Sequence, residues 1–121
     1  MNTVKALLLC LVASGALSQS SAWAHAGLAI AIPAKDAQLT SAPTLVTLKF
    51  NEKLEAGFST IKVVDTAGHD IDAKKATPDP SDAAVLHAQL PALKPGTYTV
   101  QWVAVGQDGH RRTGNYKFAV K

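Results

Sequence analysis

Apolar residues recur at every second position in six stretches of this chain, and this alternation constrains the fold more than any other feature. Successive side chains of a strand point to opposite faces, so the pattern predicts strands with one buried face. β-branched and aromatic residues are frequent in these stretches, which also favours strands. The alternating sets are Leu28, Ile30 and Ile32; Val46, Leu48 and Phe50; Ile61 and Val63; Leu86, Ala88 and Leu90; Tyr98, Val100, Trp102 and Ala104; and Tyr116, Phe118 and Val120.

Segments rich in Pro and Gly separate these stretches, the clearest being 33–36, 77–82 and 91–96. A chain of 121 residues accommodates one domain, and it contains no internal repeat or linker. Only Glu52–Ala56 could form a helical turn before Gly57. Six or seven short strands therefore predict an all-β fold, a small antiparallel β-sandwich or barrel with Greek-key connections.

The first 24 residues differ from the rest and predict a secretory signal peptide. A positive start at Lys5 precedes an apolar run over 6–17, and Ala22-Trp23-Ala24 matches the small-x-small cleavage pattern. The run is too short to span a bilayer, and no later segment approaches that length. We therefore expect residues 1–24 to be removed and residues 25–121 to form an exported domain with no membrane span.

The exported domain contains no sulfur, because Cys10 and Met1 are the only cysteine and methionine of the chain. It therefore has no disulfide and no thiolate or thioether ligand. Its 11 basic and 9 acidic residues are spread along the sequence. Nucleic-acid binding requires a concentrated basic face, so this class of partner is excluded.

Cleavage after Ala24 would make His25 the first residue of the exported protein. Its free α-amino nitrogen and its imidazole could then close a chelate ring on one metal ion, after the amine loses a proton. Cleavage after Ala26 also satisfies the signal rule and would start the protein at Gly27 without this chelate. The sequence rules alone leave both cleavage points open.

A second group of candidate ligands follows the longest predicted strand, at Asp108-Gly109-His110. Residues i and i+2 can point to the same side, and Gly109 allows the backbone to bend. Together with His25 they offer nitrogen and oxygen ligands without soft sulfur, a set that suits tetragonal Cu(II). Asp-Gly-His alone is more typical of a surface turn, in which Asp and Gly supply the turn and His is solvated.

These residues resemble the CopC family of periplasmic copper-resistance proteins. The resemblance covers nearly all of residues 25–121. It rests on the His25 start, the strand 28–32 with Pro33-Ala34-Lys35-Asp36, the stretch 48–52, the stretch 93–102 with Lys-Pro-Gly-Thr-Tyr, and Asp108-Gly109-His110 with Gly114 beyond.

The resemblance implies a cupredoxin-like sandwich of immunoglobulin-like architecture that binds one Cu(II) per chain. Its ligands would be the amine and imidazole of His25, with Asp108 and His110. The family's methionine-rich Cu(I) site should be absent, because no methionine follows Met1. Glu52 could be an outer-shell acceptor for an imidazole N–H, or a solvated charge at a strand end.

The function this implies is a periplasmic, monomeric, non-enzymatic protein that sequesters Cu(II) or carries it in copper homeostasis. Its expected partners are the copper ion and an inner-membrane transporter of the CopD type. Two alternatives stay open: an oxidative enzyme with a copper ion held by a histidine brace, and an adhesion or assembly module without metal. A blue-copper electron-transfer site is excluded, because it requires a cysteine ligand.

Overall fold

The computed structural model describes residues 27–121, and the predicted signal peptide and His25 lie outside this range. Eight strands and one short 3₁₀ helix, Ala56–Phe58, make up the regular structure of these residues. The strands, in chain order, are β1 Leu28–Ile32, β2 Gln38–Leu39, β3 Leu45–Phe50, β4 Thr60–Val64, β5 Thr77–Asp79, β6 Asp82–Gln89, β7 Gly96–Val105 and β8 Arg111–Val120.

The strands form two four-stranded sheets, in the orders β1-β3-β6-β5 and β2-β8-β7-β4. The chain passes from one sheet to the other five times, at β1–β2, β2–β3, β3–β4, β4–β5 and β6–β7. Every pairing is antiparallel except β2 with β8, which is parallel. The predicted all-β Greek-key sandwich is confirmed, with a short parallel pair at one sheet edge.

The core lies between the sheets and uses the side chains that the alternation predicts for β3, β4, β7 and β8. Trp102 on β7 meets Phe50 on β3 edge to face, with the ring centroids 5.1 Å apart. Tyr98 stacks on Phe118 at 5.6 Å. Aromatic contacts of this kind add to the free energy gained from burial. The two longest strands, β7 and β8, pair over their whole length and form the centre of their sheet.

Strand β1 departs from simple alternation. The register of β1 against β3 shifts between Leu28 and Ile30, and Ala31 then stands opposite the fully buried Leu48. Because cross-strand partners share a face, Ala31 points inward, while Ile30 and Ile32 point outward and are 52% and 60% exposed. The apolar residues of this strand therefore do not all belong to the core, since a bulge reverses the pattern.

Two further expectations differ from the structure. The break at 77–82 contains strand β5, which lies at a sheet edge where Pro78 interrupts no central ladder. The helical turn lies at Ala56–Phe58 rather than over Glu52–Ala56. Within residues 27–121 the structure contains no apolar helix of a length that could cross a bilayer.

Candidate metal centre

Three segments that are distant in sequence meet at one end of the sandwich. The amide of Gly27 donates to the side-chain oxygen of Asn51 at 2.7 Å, and the amide of Asn51 donates to the Gly27 carbonyl at 3.0 Å. Leu54 forms a β-bridge with Gly106, which begins the loop between β7 and β8. The residues just before β1, just after β3 and just after β7 are therefore held together by the backbone.

The loop between β7 and β8 brings Asp108 and His110 into direct contact. Asp108 Oδ1 accepts from the His110 amide at 2.9 Å, and Asp108 Oδ2 lies 3.0 Å from His110 Nδ1. Gly109 between them has a φ of 84°, a left-handed conformation that favours glycine. The prediction that Asp108 and His110 point to the same side of this loop is confirmed.

The Asp108 side chain is in the charged state that a metal site uses. The hydrogen bond from the His110 amide lowers the pKa of Asp108 below its ordinary value, which keeps the carboxylate charged at neutral pH. When the neutral His110 ring donates its Nδ1 proton to Asp108, the lone pair of the ring is on Nε2. A carboxylate that orients an imidazole in this way is a common arrangement beside bound metals, and each Asp108 oxygen keeps a second lone pair with which it could also bind an ion.

Glu52 approaches the same loop from β3. A methyl group on Gly106 would overlap Glu52 Oε1 and would lie 2.8 Å from Asp108 Oδ1. The two carboxylates therefore face the same point of the backbone. Glu52 Oε1 is buried and has no hydrogen-bond partner among the described residues. A buried carboxylate oxygen without a partner is costly, and this one lies beside a second anion.

Of the three predicted ligands, the structure brings Asp108 and His110 together, and His25 lies outside the described residues. Within 27–121, no three His, Cys, Asp or Glu side chains are arranged to hold a metal ion. The sequence left two roles open for Glu52; the structure half-buries the residue and buries its Oε1 atom. The residues around Glu52 could not reveal its approach to Asp108, because that approach depends on a loop far along the chain.

The two other histidines of the domain lie elsewhere. His69 is 79% exposed and lies 3.7 Å from Asp65 in the turn after β4. The His87 ring lies between Thr47 Oγ1, at 2.9 Å from Nδ1, and Asp79 Oδ2, at 2.8 Å from Nε2. Both nitrogens of His87 are used in a network that links β3, β5 and β6, so its role is structural.

Comparison with known proteins agrees with this architecture. The CopC domain model matches residues 28–121. Protein YobA of Escherichia coli K12 is 44% identical over 102 residues, which cover 84% of this chain and 82% of YobA.

Two solved structures are similar to the whole described domain. The crystal structure of CopC from Methylosinus trichosporium OB3b has a TM-score of 0.76 and 29% identity, covering 80% of this chain and 94% of that one. PcoC, a methionine-rich copper resistance protein from Escherichia coli, has a TM-score of 0.72 and 36% identity, covering 81% and 100%. The match over residues 28–121 and these likenesses show that the chain belongs to the CopC family of copper-binding proteins.

Proposed function

We propose that this protein binds one Cu(II) ion per chain in the periplasm and sequesters it or carries it to a membrane transporter of the CopD type. The ligands are the amine and imidazole of His25, with Asp108 and His110. The protein acts as a monomer and catalyses no reaction. The observation that carries the proposal is the contact of Asp108 with His110 in a loop that is tied to the start of the domain.

The position of Gly27 supports a role for His25. Its backbone is hydrogen-bonded to Asn51, the residue before Glu52, and Glu52 packs on the loop that holds Asp108. His25 is only two residues earlier, and two residues span at most about 7 Å. This short tether supports an N-terminal chelate at His25 that joins Asp108 and His110 when cleavage follows Ala24.

The arrangement of carboxylates supports a cation as the ligand of this site. Asp108 and Glu52 bring two negative charges to one place, and the buried oxygen of Glu52 has no partner among the described residues. A divalent ion would compensate this charge. Glu52 would then act from the outer shell, accepting from an imidazole N–H or an ordered water.

The chemistry of the donors supports Cu(II) over Cu(I). Amine, imidazole and carboxylate ligands suit the divalent ion, whereas Cu(I) is selected by thioether and thiolate. PcoC is described as methionine-rich, whereas this chain has no methionine after Met1. We therefore propose a single Cu(II) site without a second site for Cu(I).

Calorimetric titration of the exported protein with Cu(II) tests the proposal, after intact mass has located the first residue. We expect one ion per chain with submicromolar affinity. His110→Ala should weaken binding by about 100-fold or more, since loss of an outer-shell partner alone costs 10- to 100-fold. His69→Ala is the matched control, because His69 is an exposed histidine in a separate turn, and it should bind as the wild type does.

Three results would contradict the proposal. The first is a mature protein that begins at Gly27 and still binds one Cu(II) per chain with submicromolar affinity, since the His25 chelate would then be unnecessary. The second is equal affinity of the wild type and His110→Ala. The third is sustained oxygen consumption with ascorbate above that of free copper, which would favour the oxidative enzyme.

A further inference from the structure

We propose that Gly106 is a positioning residue of the metal centre, because its missing side chain leaves the space in which the Glu52 carboxylate lies beside Asp108. The inference deepens the proposed function and rests on it. It names the residue that determines how much negative charge faces the bound ion.

The reason for glycine at 106 is space. The glycines with a left-handed φ among residues 27–121 are Gly68, Gly96 and Gly109, and Gly106 is not one of them. Any residue could adopt its backbone conformation. A Cβ at this position, however, would overlap Glu52 Oε1 and lie 3.0 Å from Glu52 Cδ. Only glycine therefore leaves room for Glu52 as the structure has it.

The backbone of Gly106 cannot move aside to relieve this overlap. Its amide donates to the His110 carbonyl at 3.0 Å, and its carbonyl accepts from the Gly109 amide at 2.9 Å. It also forms the β-bridge with Leu54. A larger residue would therefore displace the end of the Glu52 side chain, which is flexible, and would leave the strands intact.

The position of Glu52 matters because a bound cation would favour it. Its Oε1 atom is buried without a partner among the described residues, and the neighbouring group is the charged Asp108. Carboxylates forced together repel each other, and a divalent ion between or beside them reverses the sign of the interaction. Gly106 thus maintains an arrangement that a bound cation stabilises and an empty site does not.

The test compares Gly106→Ala, Glu52→Ala and the double variant. The control is Gly57→Ala, because Gly57 lies in the neighbouring 3₁₀ helix and a Cβ added there would meet no atom within 4 Å. Each protein is loaded with one Cu(II), and its electron paramagnetic resonance spectrum and affinity are measured. Gly106→Ala should change the spectrum as Glu52→Ala does and weaken binding by about tenfold, as for a lost outer-shell group.

If Gly106 acts mainly through Glu52, most of the effect of Gly106→Ala should disappear in the Glu52→Ala background. The remainder would come from the contact of the added methyl group with Asp108 Oδ1, and Gly57→Ala should match the wild type. An unchanged spectrum in Gly106→Ala would overturn the inference. So would equal effects of Gly106→Ala in the presence and absence of Glu52, since the substitution would then act by another route.

Urea unfolding of the wild type, the two single variants and the double variant, all metal-free, separates this inference from the proposed function. A double-mutant cycle should give a coupling free energy between positions 106 and 52, because the contact exists without metal. Zero coupling would overturn the inference even if the wild type binds Cu(II) as proposed. A third outcome is measurable coupling between positions 106 and 52 together with a wild type that binds no Cu(II). The contact would then be real, but the proposed function and the role of Gly106 in it would both be refuted.

Discussion

Replacing Tyr116 with phenylalanine should stabilise the protein. Tyr116 lies on β8 with its side chain in the core and is only 5% exposed. Its hydroxyl is buried and has no hydrogen-bond partner among residues 27–121. A hydroxyl taken out of water without a partner costs about 1–3 kcal/mol, and phenylalanine keeps the ring while removing this cost. We expect the free energy of unfolding to rise by about 1 kcal/mol.

The gain should increase in alkaline solution. Burial raises the pKa of Tyr116 above its ordinary value of 10, so the folded protein keeps the proton where the unfolded chain loses it. Stability contributed by the protonated phenol is fully present below pH 10. It is then lost by about 1.4 kcal/mol per pH unit, up to the raised pKa of the folded state. At pH 11 the advantage of Tyr116→Phe over the wild type should be about 2 kcal/mol.

The measurement is urea unfolding at pH 7 and pH 11, followed by the fluorescence of Trp102, which is buried in the core. Tyr98→Phe is the matched control. Tyr98 is also a buried core tyrosine, but its hydroxyl donates to the Lys94 carbonyl at 2.6 Å. Its loss should destabilise the protein by about 1 kcal/mol. A loss of stability in Tyr116→Phe at pH 7, or an unchanged difference at pH 11, would refute the reasoning.

Three further predictions follow from the packing and the charges. Gly114→Ala should lower the free energy of unfolding, measured in urea, by about 1–3 kcal/mol, because the added methyl group would overlap the rigid Trp102 ring. Gly57→Ala is the control and should stay within about 0.5 kcal/mol of the wild type. Asp79→Asn should lower the melting temperature at pH 7 and by a smaller amount at pH 2, because hydrogen bonds from His87 and Ser81 lower the pKa of Asp79. Its contribution is complete above the ordinary Asp pKa and declines as the pH falls toward the lowered pKa of the folded state; equal melting temperatures at pH 7 would contradict this. Saturating Cu(II) should quench Trp102 emission, since β7 leads directly into the Asp108 loop, and unchanged emission would put the metal elsewhere.

The fold was largely predictable because alternation is a local property. In β7, the alternation from Tyr98 to Ala104 separates a core-facing set from an outward-facing set, and the burial pattern agrees, although the outward-facing Val103 is apolar. The elements that the sequence predicted wrongly are those in which the pairing of strands, rather than the local pattern, determines the structure. The bulge in β1 turns Ile30 and Ile32 outward, and β5 includes a proline because an edge strand tolerates one.

The candidate site was predictable where its residues are neighbours in sequence. Asp108 and His110 lie on one loop, and a glycine between them permits the turn that brings them together. Glu52 and Gly106 are different, because their contact arises only when the segment after β3 forms a bridge, at Leu54, to the residue that follows β7. The residues around Glu52 and those around Gly106 do not indicate that the two positions will be in contact.

The two carboxylates of the candidate site lie at the ends of strands, outside the apolar core, where charged side chains can be accommodated in a small domain. The sheets place Glu52 and Asp108 where the backbone is fixed by bridges and loop hydrogen bonds, so their repulsion cannot be relieved by movement of the main chain. It can be relieved by a rotation of the Glu52 side chain or by a cation. Gly106 makes the present rotamer sterically accessible without stabilising it. An ion bound at this site would offset the repulsion between the two carboxylates, so a protein that binds the ion as proposed should unfold at a higher urea concentration with the ion than without it.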